Sequence, residues 1–94
     1  MRVEVGDKIY VPCDDDTYTV MARDDRYIIC TMSYEDTVMY FIVDLVNQWR
    51  APDNMVFCSG YETEEDCKER LLELQRGDIE LSRRNGLRLD LNVT

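Results

Sequence analysis

The chain contains no histidine, only two prolines and four glycines, and 11 basic residues against 20 acidic ones. The missing histidine removes the usual general base at neutral pH and the commonest metal ligand. Four cysteines, Cys13, Cys30, Cys58 and Cys67, are spread without a CxxC pair, so no zinc-site spacing is present. Cys30 and Cys67 read as small buried hydrophobes kept reduced. The longest apolar run, Val38 to Val46, is interrupted by Asp44 and falls well short of the roughly 20 residues that span a bilayer. Repeats, linkers and low-complexity tracts are lacking too, so a single domain over residues 1–94 is expected.

What the chain has in excess is negative charge. A net charge of −9 repels phosphate backbones and anionic headgroups, which argues against direct nucleic-acid or membrane binding. The same field attracts basic surfaces, and large basic grooves belong mostly to nucleic-acid-binding proteins. After Met1 come Arg2, Glu4 and Asp7 where a secretory signal needs an apolar core, so a cytoplasmic location is expected. With 45% hydrophobic residues and six tyrosines, the chain can build a packed core.

The first half reads as short strands. Lys8 to Pro12 places Ile9 and Val11 on one face, and Thr17 to Ala22 alternates through Tyr18, Val20 and Ala22. Asp24-Asp25 marks a tight turn, with Tyr27 to Met32 as the hairpin partner. Beyond the polar loop Ser33 to Thr37, Val38 to Leu45 is apolar at both parities and predicts a strand covered on two faces, ended by Asp44. Trp49 to Ala51 follows, then a type I turn at Ala51-Pro52-Asp53-Asn54 and a short strand at Met55 to Cys58.

Helix chemistry begins at Thr63, which can cap free amides while Asp66 reaches back; Glu64 and Glu65 suit the positive dipole end and Gly77 closes the helix. Cys67, Leu71 and Leu74 form an apolar stripe with Leu72 at its flank, ready to dock on the sheet. Ile79 and Leu81 alternate, Asn85-Gly86 is a two-residue hairpin signal, and Leu87, Leu89 and Leu91 alternate after it, so a last hairpin or strand is expected. The pattern as a whole predicts an α+β fold: a curved antiparallel sheet of about five strands, open to barrel-like closure, with one helix near 64–76.

Opposite the apolar stripe, Glu65, Glu69 and Glu73 recur every four residues, about 6 Å apart along the helix axis. Such like-charge spacing costs a few tenths of a kcal/mol per pair, relieved in part by pairing Glu64 with Lys68 and Asp66 with Arg70. A carboxylate row at this pitch can imitate a nucleic-acid backbone towards a basic partner; a solvated outer face is the competing reading. Glu62 and Glu64 join the ridge, and Asp24 and Asp25 extend the same negative surface. Asp14-Asp15-Asp16 lacks calcium-loop spacing and reads as a solvated turn, so no metal or cofactor is implied.

Ser82, Arg83, Arg84 and Asn85 form the basic and polar cluster of this acidic chain. Arginine suits bidentate capture of phosphate or carboxylate, which makes Arg83, Arg84 and Asn85 candidate anion ligands. The competing reading is that both arginines tie the last strand to acidic neighbours while Asn85 shapes the turn. The tyrosines and Trp49 read mostly as core or half-core. Without a histidine base or a nucleophile elbow, the side-chain inventory argues against an enzyme.

The segments VGDKIYVP at 5–12, YTVMARDDRYIICT at 18–31, FIVDLVNQWRAPDNMVF at 41–57, GYETEEDCKERLLELQRGDIELSRRN at 60–85 and the closing LRLDL resemble small proteins carried by bacteriophages and bacterial mobile elements. The likeness runs over nearly the whole chain. Ala51 stands where those proteins carry glycine before the proline, and Gly86 where they carry a larger residue, a change that favours a tight hairpin at Asn85. The resemblance implies a phage or mobile-element setting, in which short acidic proteins block host defence. It suggests an anti-CRISPR-like or anti-restriction-like inhibitor occupying the basic groove of a bacterial nucleic-acid enzyme. A small-ligand or nucleotide-binding module and a structural assembly subunit are the alternatives.

Overall fold

The computed structural model describes residues 3–11, 16–53 and 60–89. Six strands form one curled antiparallel half-barrel in simple sequence order: β1 (Lys8–Val11), β2 (Asp16–Arg23), β3 (Tyr27–Tyr34), β4 (Thr37–Asp44), β5 (Trp49–Ala51) and β6 (Leu87–Arg88). The helix α1 (Glu64–Arg76) is inserted between β5 and β6, which nonetheless pair with each other. An α+β fold with one packed helix is therefore what this sequence builds, its six strands among the described residues matching the expectation of about five.

Alternation fixes which residues face where. Ile28, Cys30 and Met32 of β3 join Met39, Phe41 and Val43 of β4, Ile9 and Val11 of β1, and Tyr18 and Val20 of β2 in one large apolar cluster. Tyr27, Ile29 and Ile42 point the other way, where Cys67, Leu74 and the half-buried Leu71 of the helix cover them. The two central strands are thus sandwiched, as the apolar run in β4 implied, although its first valine, Val38, remains 41% exposed.

The expected alternation of Tyr18, Val20 and Ala22 breaks at a bulge. The β2–β3 register shifts between Val20 and Ala22, so Met21 and Ala22 both pack on the helix side. The loop between β3 and β4 is shorter than expected: both strands continue to a two-residue turn, Glu35-Asp36, with both residues at positive φ, 48° and 65°. Between β4 and the segment before the helix, Gly60 allows a close approach. A Cβ there would lie 2.8 Å from Met39 Cβ, Phe41 Cζ and the Tyr40 carbonyl, beside the backbone bridge from Tyr40 to Tyr61.

Of the hairpin or strand expected at the end of the chain, the strand forms as β6, while among the described residues no hairpin forms at Asn85-Gly86. Ile79 to Leu81 is not a strand, and Leu87–Arg88 pairs with Trp49–Arg50 instead. The reason lies in the Asn85 side chain, whose Oδ1 accepts from the Ser82 amide at 2.8 Å while Nδ2 donates to the Glu80 carbonyl at 2.9 Å. These bonds close the chain into a loop over 80–85, with Asn85 N–H donating to the Ser82 carbonyl, and leave no two-residue hairpin at Asn85-Gly86. The peptide bond between Ala51 and Pro52 is cis. The turn expected at 51–54 extends into Asn54, and that residue, the strand expected at Met55 to Cys58, Asp14, Asp15, Cys13 and Leu91 lie outside the described residues.

Candidate functional site

Helix α1 starts where the Thr63 Oγ1 accepts from the Asp66 amide at 3.1 Å and stops at Gly77, whose left-handed φ of 80° lets its amide reach the Glu73 and Leu74 carbonyls. Glu64, Glu65 and Asp66 occupy its first turn, complementing the dipole. Of the five helix-region carboxylates expected to form a ridge, two are engaged: Glu64 with Lys68 at 2.8 Å and Glu73 with Arg70 at 3.4 Å. Arg70 therefore pairs forward with Glu73, not backward with Asp66 as the spacing suggested. Glu62, Glu65 and Glu69 are exposed, and among the described residues none of them makes an ion pair.

Leu72 is not part of the docked stripe. It lies seven residues after Glu65 and three after Glu69, which at 100° per residue puts all three on one outward face, and it is 51% exposed. Arg76 shares that face one turn further on and is paired with Asp78 at 3.3 Å. The outer helix surface thus combines two unpaired carboxylates with an exposed aliphatic side chain.

Asp24 and Asp25 sit at the tip of the β2–β3 hairpin. Asp24 Oδ1 accepts from the Arg26 and Tyr27 amides at 2.7 and 2.6 Å, and its Oδ2 accepts from Gln75 Nε2 at 2.6 Å. Burial disfavours the charged form, but these bonds and the nearby Arg23 outweigh it and hold the carboxyl below its ordinary value. Asp24 is therefore a clamp between hairpin and helix, whereas Asp25 is exposed beside it.

The second candidate, the loop over Ser82–Asn85, borders a groove of about 250 Å³. Arg84 and Asn85 stand on one side, Tyr61 and Arg70 on another, and Pro52 and Leu81 supply apolar wall. Burial pushes the Tyr61 hydroxyl up, and the nearby positive charge of Arg70 pulls it back in part. Asp53 lines this groove too and borders a neighbouring hollow of about 490 Å³, lined by Trp49, Arg83 and Arg88, where the Arg88 guanidinium carbon lies 5.6 Å from the Trp49 ring centroid. The ion pairs expected to tie the two loop arginines to acidic neighbours are not made: among the described residues no carboxylate lies within pairing distance of Arg83 or Arg84. Asn85 does shape the loop, as expected.

The sequence does not announce the burial or the partners of two charged residues. Asp44, which ends β4, is fully buried; it receives Arg26 Nη2 at 2.8 Å and Nε at 3.2 Å, and its Oδ1 also accepts from the amides of Val46 and Asn47. Arg50 is 1% exposed, donates from Nη1 to the Tyr18 hydroxyl at 2.8 Å and from Nε and Nη2 to the Pro52 carbonyl, and lies over the Phe41 ring. Cys30 and Cys67 are free and buried, and burial pushes both thiols up to about 12. Of the tyrosines, Tyr18 and Tyr27 are core, Tyr40 and Tyr61 half-buried, and Tyr10 and Tyr34 exposed. Among the described residues no group of three or more acidic or cysteine side chains is placed to hold a metal ion, and no helix is long and apolar enough to cross a membrane.

No family model, no curated protein and no solved structure matches this chain.

Proposed function

We propose that the protein acts as a binding protein without catalysis of its own, whose outer helix face occupies the basic groove of a bacterial nucleic-acid enzyme. The observation that carries this reading is the grouping of Glu65, Glu69 and Leu72 on one outward face of α1. Unpaired carboxylates supply the long-range attraction, and an exposed aliphatic side chain among them supplies the apolar anchor that a purely solvated face lacks. An overall charge of −9 reinforces the attraction. A phage or mobile-element accessory role, of the anti-CRISPR or anti-restriction kind, belongs to the same proposal.

The test is affinity capture from a bacterial lysate at low salt, followed by assay of any captured nucleic-acid enzyme with and without the protein. The expected result is inhibition that fades as salt rises and disappears in a Glu65→Lys/Glu69→Lys variant, with Leu72→Ala weakening it at every salt concentration. Capture and inhibition unchanged by the charge reversal, or no inhibited enzyme at all, would sink the reading.

A further inference from the structure

We infer that the groove between the helix and the Ser82–Asn85 loop binds the oxyanion end of a small ligand, a phosphate monoester or a carboxylate, gripped between Arg84 and Arg70. The first ground is the state of Arg84. In a chain with 20 acidic and 11 basic residues, most guanidinium groups should find a carboxylate, yet none is within reach of Arg84 among the described residues. The second is that its carrier loop is fixed. Three hydrogen bonds within 80–85 involve Asn85, and a fourth runs from the Arg84 amide to the Ser82 Oγ at 3.3 Å, so the backbone that presents the arginine is held in one shape.

The third ground is what faces it. Arg70 comes from the helix, tethered by a long 3.4 Å contact to Glu73, and among the described residues the groove's one lining carboxylate, Asp53, is outnumbered by Arg70 and Arg84. Two guanidinium groups on different elements of one groove can each offer a pair of parallel N–H donors, the arrangement that oxyanions accept best. The apolar wall, including Pro52 and Leu81, suits a compact organic body behind the anion. A volume of about 250 Å³ limits that body to about the size of one aromatic ring, below the usual range for drug-sized ligands. The surrounding field selects against polyanions, since a net charge of −9 repels a nucleic-acid strand at long range but opposes a singly charged molecule far less. This site is separate from the outward acidic face, and either can operate without the other.

The experiment is an amide NMR titration with three probes, inorganic phosphate, phenyl phosphate and benzoate. Saturable shifts confined to Tyr61, Arg70 and residues 82–85 are expected with at least one of the two aromatic probes. The tighter of the pair identifies phosphate or carboxylate as the natural head group, and inorganic phosphate alone should bind more weakly for want of the apolar wall. Arg84→Gln and Arg70→Gln should each weaken binding about tenfold or more, the loss expected for a charge-assisted hydrogen bond, while the rest of the spectrum stays in place to report an intact fold. Arg83→Gln, which alters the neighbouring hollow, should leave the affinity within about twofold. Absence of saturable shifts for both aromatic probes, or equal binding by wild type and Arg84→Gln, would overturn the assignment.

Discussion

At the scale of single residues, the stability of the fold depends on two charged side chains that lie deep in an apolar structure. Asp44 loses all contact with water, and its charge is tolerated because Arg26 meets it with two hydrogen bonds while two backbone amides complete the set. Asp44 is at once the last residue of β4 and the organiser of the turn into β5, which explains why an aspartate, not a hydrophobe, ends the strand. Replacing Arg26 with methionine leaves a buried carboxylate without its cation and should cost about 2–3 kcal/mol, tempered because the arginine side chain is 38% exposed. The double variant Arg26→Met/Asp44→Asn should recover at least half of that loss, because asparagine keeps the Oδ1 acceptor for Val46 and Asn47 without the charge. Urea denaturation of the four members of this cycle measures the coupling, and simple additivity would show that the two side chains act independently. Neither partner could have been found from sequence, since 18 positions separate them and only the β3–β4 pairing brings them together.

At the scale of elements, the parts that were legible are those whose signal is local. The strands from Lys8 to Ala51 announce themselves by alternation at the start, by the turn at Asp24-Asp25 and by the apolar run from Val38, and the helix by Thr63, its acidic first turn and Gly77. Of the last hairpin or strand, the strand forms but not as a hairpin at Asn85-Gly86, because the Asn85 side chain serves a different loop and β5 offers Leu87–Arg88 a partner. The cluster Arg83, Arg84 and Asn85 was visible, but the wall that makes it a groove, Tyr61 and Arg70, belongs to elements more than ten residues away. The Glu35-Asp36 turn offers a direct test of local chemistry, because both residues adopt a positive φ that side chains with a Cβ resist. Glu35→Asn with Asp36→Gly should stabilise the protein by about 1 kcal/mol, seen as a rise of about 4–8 °C in Tm. An unchanged or lower Tm would mean that the two carboxylates contribute something the backbone geometry does not reveal. The Asp24 clamp makes a second prediction at this scale. Its carboxyl is held below the ordinary value in the folded state, so its contribution is fully present above the unfolded value of 3.8 and is lost as pH falls through the lower folded one. The stability gap between wild type and Asp24→Asn, about 1 kcal/mol for the lost charge-assisted bonds, should therefore be flat near neutrality and close as pH falls below about 4. A gap that persists undiminished at pH 2 would assign the stabilisation to shape alone.

At the scale of the whole molecule, charge imbalance sets the behaviour. Pairs such as Arg26–Asp44 and Lys68–Glu64 neutralise individual carboxylates, but an excess of nine acidic side chains remains on a small domain, and their mutual repulsion opposes the compact state. Surface ion pairs of the kind seen at Lys68–Glu64 and Arg76–Asp78 contribute little, because water screens them and salt weakens them further. Salt also screens the repulsion, which acts over the whole surface and so falls off more as the Debye length shrinks from about 30 Å at 0.01 M to about 3 Å at 1 M. The two effects have opposite signs, and the imbalance decides between them: raising sodium chloride from 0.01 M to 0.5 M should raise Tm by several degrees. The Glu65→Lys/Glu69→Lys variant lowers the net negative charge by four, so its Tm should start higher at low salt and gain less from added salt. A Tm that falls with salt in the wild type would mean that the local pairs outweigh the global field. In that case the outward carboxylates would already be balanced within the molecule, and the attraction invoked for a basic partner would lose its source.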